Sequence, residues 1–105
     1  MTKILVIEDE EAVRENILEI LGYEGFEVLG AANGREGVEV AQRFLPDLIV
    51  CDIAMPEMDG YSVLLAVRQM TSLAAVPFIF LTARTDRSFM RHGMELGADD
   101  YLTKP

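Results

Sequence analysis

Apolar and polar positions alternate along this chain at two periods: short apolar runs, each followed by a longer stretch with helical spacing. Lys3–Ile7 is the first run, and its length and Ile/Val content predict a buried strand. Over residues 10–23, Val13, Ile17, Ile20 and Leu21 recur at helical spacing and predict a helix with those residues inward. Glu11, Glu15 and Glu19 fall on its solvated side, and the acids of its first turn suit the positive end of a helix dipole. Gly22 and Gly25 mark its end. Glu27–Ala31 predicts a second strand, and Asn33 is placed to cap a helix over Gly34–Phe44 with Val38, Ala41 and Phe44 inward. Pro46-Asp47 breaks that helix, and residues 48–51 form a third apolar run. Residues 54–60 read as a loop, 61–70 as a helix burying Leu64 and Val67, and 76–81 as a fourth strand with Pro77 near its start, where proline is tolerated. Residues 86–96 predict a fourth helix offering Phe89, Met90, Gly93 and Met94 for packing, with Gly97 as its C-cap. Asp100–Thr103 is the fifth strand.

Strands alternating with helices predict an α/β fold with a parallel sheet and right-handed crossovers. In such sheets ligands bind outside the carboxyl ends of the strands. Four of the five runs end in chemistry there: the first in Glu8-Asp9, the third in Asp52, the fourth in Thr82, the fifth in Lys104. The second ends in Ala31-Ala32-Asn33, as suits an edge strand outside the site.

Composition narrows the classes. With 105 residues the chain is one domain, and half of its residues are apolar, enough for a continuous core. Nine basic against eighteen acidic residues give a net charge of −9, which argues against direct nucleic-acid binding by this domain. No apolar run approaches the roughly 20 residues of a membrane span, and no secretory signal is evident, so no membrane role is expected. The single cysteine, Cys51, excludes an internal disulfide and reads as a buried strand residue; a cytoplasmic location fits.

Taken singly, Glu8 or Asp9 reads as a helix cap, Thr82 as another and Lys104 as a surface charge. Their convergence changes that. Carboxylates held together repel unless one is protonated or a cation lies between them. Hard oxygen ligands without His or Cys favour Mg2+ or a similar ion. The only histidine, His92, falls inside the fourth helix and is given no catalytic role. An ammonium beside such a cluster can hold a phosphate oxygen, a threonine hydroxyl can donate to another, and a carboxylate can itself be the nucleophile.

The sequence resembles the receiver domain of two-component response regulators. The matching text is Lys3-Ile-Leu-Val-Ile-Glu-Asp-Glu10, Pro46-Asp-Leu-Ile-Val-Cys-Asp-Ile-Ala-Met-Pro-Glu-Met-Asp-Gly60, Leu81-Thr-Ala83 and Gly97-Ala-Asp-Asp-Tyr-Leu-Thr-Lys-Pro105, in the family's order over nearly the whole chain. The resemblance implies a flavodoxin-like, doubly wound five-stranded sheet of order 2-1-3-4-5. It implies that Asp52 accepts a phosphoryl group from a phosphohistidine of a sensor histidine kinase or phosphotransfer protein, with Mg2+ held by Glu8, Asp9, Asp52 and the backbone carbonyl of Ala54. Lys104 would pair with the phosphoryl group, Thr82 would move toward it, and Tyr101 would turn inward as the aromatic partner of that switch. A homodimer or an effector domain would dock on the fourth helix and fifth strand. The Lys104-Pro105 bond would be cis.

Departures from the family pattern carry their own expectations. Glu8 stands where Asp is more usual. Ala54 and Arg84, two residues beyond Asp52 and Thr82, occupy the positions that tune phosphoaspartate hydrolysis, and predict slow self-dephosphorylation. The family's fifth helix is missing from residues 1–105, so the chain reads as a receiver domain shortened at its C-terminus and without an effector region. Three other readings fit less well. A pseudo-receiver that does not turn over phosphate is disfavoured by the intact Asp9, Asp52, Thr82 and Lys104. A phosphohydrolase of the haloacid dehalogenase type needs an acid where Ala54 stands. A flavin carrier wants a phosphate loop where Glu8-Asp9-Glu10-Glu11 would repel it.

Overall fold

Five apolar runs pair into one parallel sheet, and their burial shows why. β1 (Lys3–Ile7), β3 (Leu48–Asp52) and β4 (Phe78–Thr82) are buried almost throughout, whereas β2 (Glu27–Ala31) and β5 (Asp100–Thr103) are largely exposed. The order is β2-β1-β3-β4-β5, so the exposed strands are the two edges and the near-continuous apolar runs are central. The computed structural model describes residues 1–83 and 87–104, and of residues 87–90 the backbone alone. The start of the fourth predicted helix at Asp86, the packing of Phe89 and Met90, Arg84 and the Lys104-Pro105 bond therefore lie outside the described residues.

Among the described residues four helices flank the sheet: α1 (Glu11–Tyr23), α2 (Gly34–Phe44), α3 (Gly60–Arg68) and α4 (Arg87–Glu95). One sheet face packs Leu5, Ile7, Ile49, Cys51, Phe78 and Phe80 against Val40, Ala41, Val63, Leu64 and Val67 of α2 and α3. The opposite face is smaller: Ile4, Val6, Val50 and Leu81 against Ile17, Leu18 and Leu21 of α1. The first face holds the larger core.

Local chemistry sets the boundaries. Asn33 caps α2 as expected, its side chain accepting from Glu36 N–H at 2.8 Å. Asp59 caps α3 in the same way through Ser62 N–H at 2.9 Å, which moves the helix start from the expected Tyr61 to Gly60. α3 stops at Arg68 rather than Met70, because Gln69 N–H and Met70 N–H turn back three residues, to Ala66 and Val67 carbonyls. β4 begins at Phe78 rather than Val76: Val76 N–H is spent in a turn on Leu73, and Pro77, with no N–H, joins the ladder only by accepting from Ile49. β3 and β4 each run one residue further than expected, so Asp52 and Thr82 are the last strand residues, opposite Leu81 and Thr103. α1 starts at Glu11, α4 spans Arg87–Glu95, and Gly97 follows α4 with φ +105°. Two residues expected inward are not: Ile20 is 55% and Met94 49% exposed. Glu11, Glu15 and Glu19 face solvent, and Cys51 is buried.

Candidate functional site

In a parallel sheet every strand carries its last residue to the same edge. β1 therefore delivers Glu8 and Asp9 beside Asp52 of β3, Thr82 of β4 and Lys104 just past β5. Main-chain bonds fix the edge. Glu8 N–H donates to the Ala31 carbonyl (3.1 Å), Ile53 N–H to Leu81 (3.2 Å) and Lys104 N–H to Thr82 (2.8 Å). Glu8 is held further: one carboxylate oxygen, Oε2, accepts from Glu10 N–H at 3.1 Å, and Arg14 Nη1 of α1 donates to the Glu8 carbonyl at 2.9 Å. On the other side Gly60 N–H donates to the Ile53 carbonyl at 2.8 Å, and a Cβ at Gly60 would collide with the Asp52 carbonyl, so only glycine lets the loop close on that strand.

Asp52, Glu8 and Thr82 are the buried polar side chains of this edge. Lys104 reaches in from β5, with Nζ at 2.7 Å from Glu8 Oε1 and 3.0 Å from Asp52 Oδ2. Burial is the largest influence on both acids and holds their carboxyl pKa values above the usual 4.5 and 3.8; the Lys104 ammonium opposes the rise. Burial would lower Lys104, but Glu8 and Asp52 outweigh it and raise the ammonium above its usual 10.5. A cavity of about 440 Å³ opens over these groups, bounded by Asp9, Asp52, Ala54, Thr82 and Lys104.

Carboxylate oxygens of Glu8, Asp9 and Asp52 all lie within 4.8 Å of one another, an arrangement compatible with a metal ion. Glu8 Oε1 is fully buried and faces the Lys104 ammonium at 2.7 Å. A buried carboxylate oxygen beside two further carboxylates suits a hard cation.

The family model described as the response regulator receiver domain matches residues 4–105. The chain belongs to the response regulator receiver domain family. This receiver domain is 44% identical over 103 residues to the probable transcriptional regulator ycf27 of Porphyridium aerugineum, covering 98% of the chain and 42% of that protein. It is 40% identical over 103 residues to the alkaline phosphatase synthesis transcriptional regulatory protein PhoP of Bacillus subtilis, again covering 98% and 42%. The chain thus spans about two-fifths of the length of these relatives. Among solved structures it is similar to the chemotaxis protein CheY4 of Vibrio cholerae (TM-score 0.96, 34% identity, 100% of this chain and 88% of that one). It is also similar to the receiver domain of the sensor histidine kinase PA1611 of Pseudomonas aeruginosa (TM-score 0.90, 33% identity, 99% and 85%), which is described with a magnesium ion coordinated in its active-site cleft.

Every residue expected at the receiver site from the strand ends is at this edge. Ala54 lies on the cavity wall, and Arg84 lies outside the described residues. Tyr101 is half-buried on β5, its ring 5.7 Å from that of Phe80, and its hydroxyl packs on the α4 backbone at Gly93 and Met94. Burial raises the Tyr101 hydroxyl pKa, with those backbone contacts opposing. His92 does not reach the acids; its ring meets Tyr61 edge-on at 4.6 Å. Sequence reasoning missed Arg14 and the loop closure at Gly60, and read Gly93 as available for packing without its contact to Tyr101. The first was readable as an arginine on the helix that follows the acids; the two glycines act through close approaches that no spacing encodes.

Proposed function

We propose that the domain is a phosphoacceptor switch of a two-component system. One observation carries this: the buried Asp52 carboxylate borders an open cavity between an acid, Asp9, and an ammonium, Lys104. In the reading, an Asp52 oxygen attacks the phosphorus of a phosphohistidine on a sensor kinase or phosphotransfer protein. A P–O bond forms, the P–N bond breaks, and the imidazole leaves. Glu8, Asp9, Asp52 and the Ala54 carbonyl are the residues that would hold Mg2+, which when bound supplies charge neutralisation for the incoming anion. Lys104 and Thr82 then provide the donors for the phosphoryl oxygens, and the added negative charge biases the α4–β5 surface through Thr82 and Tyr101. A homodimer or an effector domain is the partner proposed for that surface.

Receiver domains are signalling domains and not enzymes in the ordinary sense; we read self-phosphorylation, and slow loss of the group, as the only chemistry. A cytoplasmic setting suits a kinase donor. Among the described residues no helix is long and apolar enough to cross a membrane.

The test is intact-mass measurement after incubation with Mg2+ and acetyl phosphate. One phosphoryl adduct is expected, absent in Asp52→Asn and reduced when Mg2+ is chelated. No adduct under any condition would make the domain an interaction module that does not turn over phosphate.

A further inference from the structure

The peptide that joins Glu8 to Asp9 carries two of the three acids of the cluster, one at each end of a single rigid plane. The orientation of that plane decides whether both carboxylates can face Asp52. Strand pairing holds Glu8 from its N-terminal side, through its N–H bond to the Ala31 carbonyl at 3.1 Å. The plane itself lies past the end of β1 and is held from α1, where Arg14 Nη1 donates to the Glu8 carbonyl at 2.9 Å. Arg14 reaches that carbonyl across β2. A Cβ built on Gly30 would stand 3.1 Å from Arg14 Cδ, 3.3 Å from its Cγ and 2.8 Å from Leu18 Cδ1, so the arginine stem lies directly on the glycine. Gly30 pairs with Val6, two residues before Glu8. Arg14 belongs to the start of α1, its own N–H closing on the Glu10 carbonyl at 2.9 Å. A cation near a helix N-terminus opposes the dipole, and the charge-assisted bond to the Glu8 carbonyl offsets that cost.

We propose that Arg14 is a positioning residue for the cation-binding acids: its guanidinium clamps the Glu8–Asp9 peptide so that both carboxylates face Asp52, and the bare backbone of Gly30 gives it the passage to do so. This deepens the phosphoacceptor reading and rests on its cation site. Arg14 acts through the main chain, not by contact with the ion or the phosphoryl group. The role differs in sign from a charge effect. A guanidinium close to the cluster repels a cation, so charge alone predicts tighter cation binding once it is removed. The clamp predicts weaker binding, because carboxylates that repel one another are then free to turn apart.

Mn2+ binding followed by electron paramagnetic resonance, with Mg2+ as competitor and no phosphodonor, separates the two. Arg14→Met keeps an unbranched stem over Gly30 and removes the donor. It is expected to bind Mn2+ about tenfold more weakly than the wild type, the lower end of the range for groups that orient ligands from outside. Gly30→Ala keeps every charge but crowds the arginine stem, and is expected to weaken binding several-fold; it keeps the test decisive if Arg14→Met does not fold. Arg68→Met is the control. Arg68 donates to the Val76 and Gly97 carbonyls at 2.7 and 3.0 Å on the opposite edge of the sheet, so its loss costs stability without touching the acids. Its Mn2+ affinity is expected to match the wild type. Arg14 and Gly30 variants that bind Mn2+ as tightly as the wild type or more tightly would overturn the clamp. So would an equal loss in Arg68→Met, or a wild type that binds no Mn2+. The two ideas fail separately: an acetyl phosphate adduct with unchanged Mn2+ affinities removes the clamp alone, and the expected affinity order without an adduct removes the phosphoacceptor reading alone.

Discussion

Ala54 lies exposed on the wall of the cavity, two residues past Asp52, and its methyl group offers a water there no hydrogen-bonding partner. Hydrolysis of an acyl phosphate is accelerated when a hydrogen-bonding side chain aligns the attacking water, which alanine cannot do. Ala54→Asn combined with Arg84→Glu is expected to shorten the lifetime of the phosphoryl group on Asp52 by about tenfold or more, less than the roughly 10²–10⁴-fold of a fully positioned proton transfer. A time course of intact mass after donor removal measures it, and an unchanged lifetime counts against the role given to Ala54. Single residues also show what a sequence can announce. Glu8, Asp9, Asp52, Thr82 and Lys104 were legible because each terminates an apolar run, and a parallel sheet turns that local fact into a spatial one. The pairing of Lys104 with Glu8 was not legible, because it depends on two side chains meeting across the sheet edge.

Between elements, the joint of α4 with β5 rests on a glycine. A Cβ at Gly93 would collide with the Tyr101 hydroxyl and crowd the Phe80 ring, so the helix gives up a side chain to seat the tyrosine. Gly→Ala inside a helix ordinarily stabilises by about 1 kcal/mol. Here Gly93→Ala is expected to destabilise by about 1–3 kcal/mol, as overpacking does, and to move the aromatic resonances of Tyr101. A higher melting temperature with Tyr101 unmoved would show that the seat is unimportant. Strand and helix order was readable from hydrophobic period. The ends were less so: Asp59 capping α3 and Pro77 delaying β4 act through individual hydrogen bonds gained or withheld.

The whole molecule carries a net charge of −9, and its buried acids make stability depend on pH and on cations together. Glu8 and Asp52 have raised pKa values, so the folded state holds their protons more tightly than the unfolded chain does. Their contribution favours folding below the usual 4.5 and 3.8 and is lost as pH rises through the raised values. Lys104 behaves as a raised base: its contribution is full below 10.5 and is lost as pH rises through its folded value. Mg2+ needs the ionised acids. The melting temperature should therefore rise with Mg2+ at pH 7–8 and respond progressively less as pH falls into the range where Glu8 and Asp52 protonate. At free ion about 100-fold above Kd the gain corresponds to about 2.7 kcal/mol. Calorimetry at several pH values, with and without chelator, measures it; a gain independent of pH would place the ion elsewhere.

The opposite edge of the sheet holds no part of the site but is clasped tightly. Arg68 donates to the carbonyls of Val76 (2.7 Å) and Gly97 (3.0 Å) and pairs with Asp99, whose carboxylate also accepts from Phe78 N–H (2.8 Å). Lys3 N–H is held by Asp47 at 2.8 Å. A five-residue strand separates these clasps from the acids by roughly 13–17 Å, beyond the distance at which substitutions usually couple. Mutational drift at that edge can therefore raise or lower robustness while leaving the chemistry alone. Such a molecule is free to acquire new partners and new signals on one side while the other absorbs the losses in stability that those changes bring.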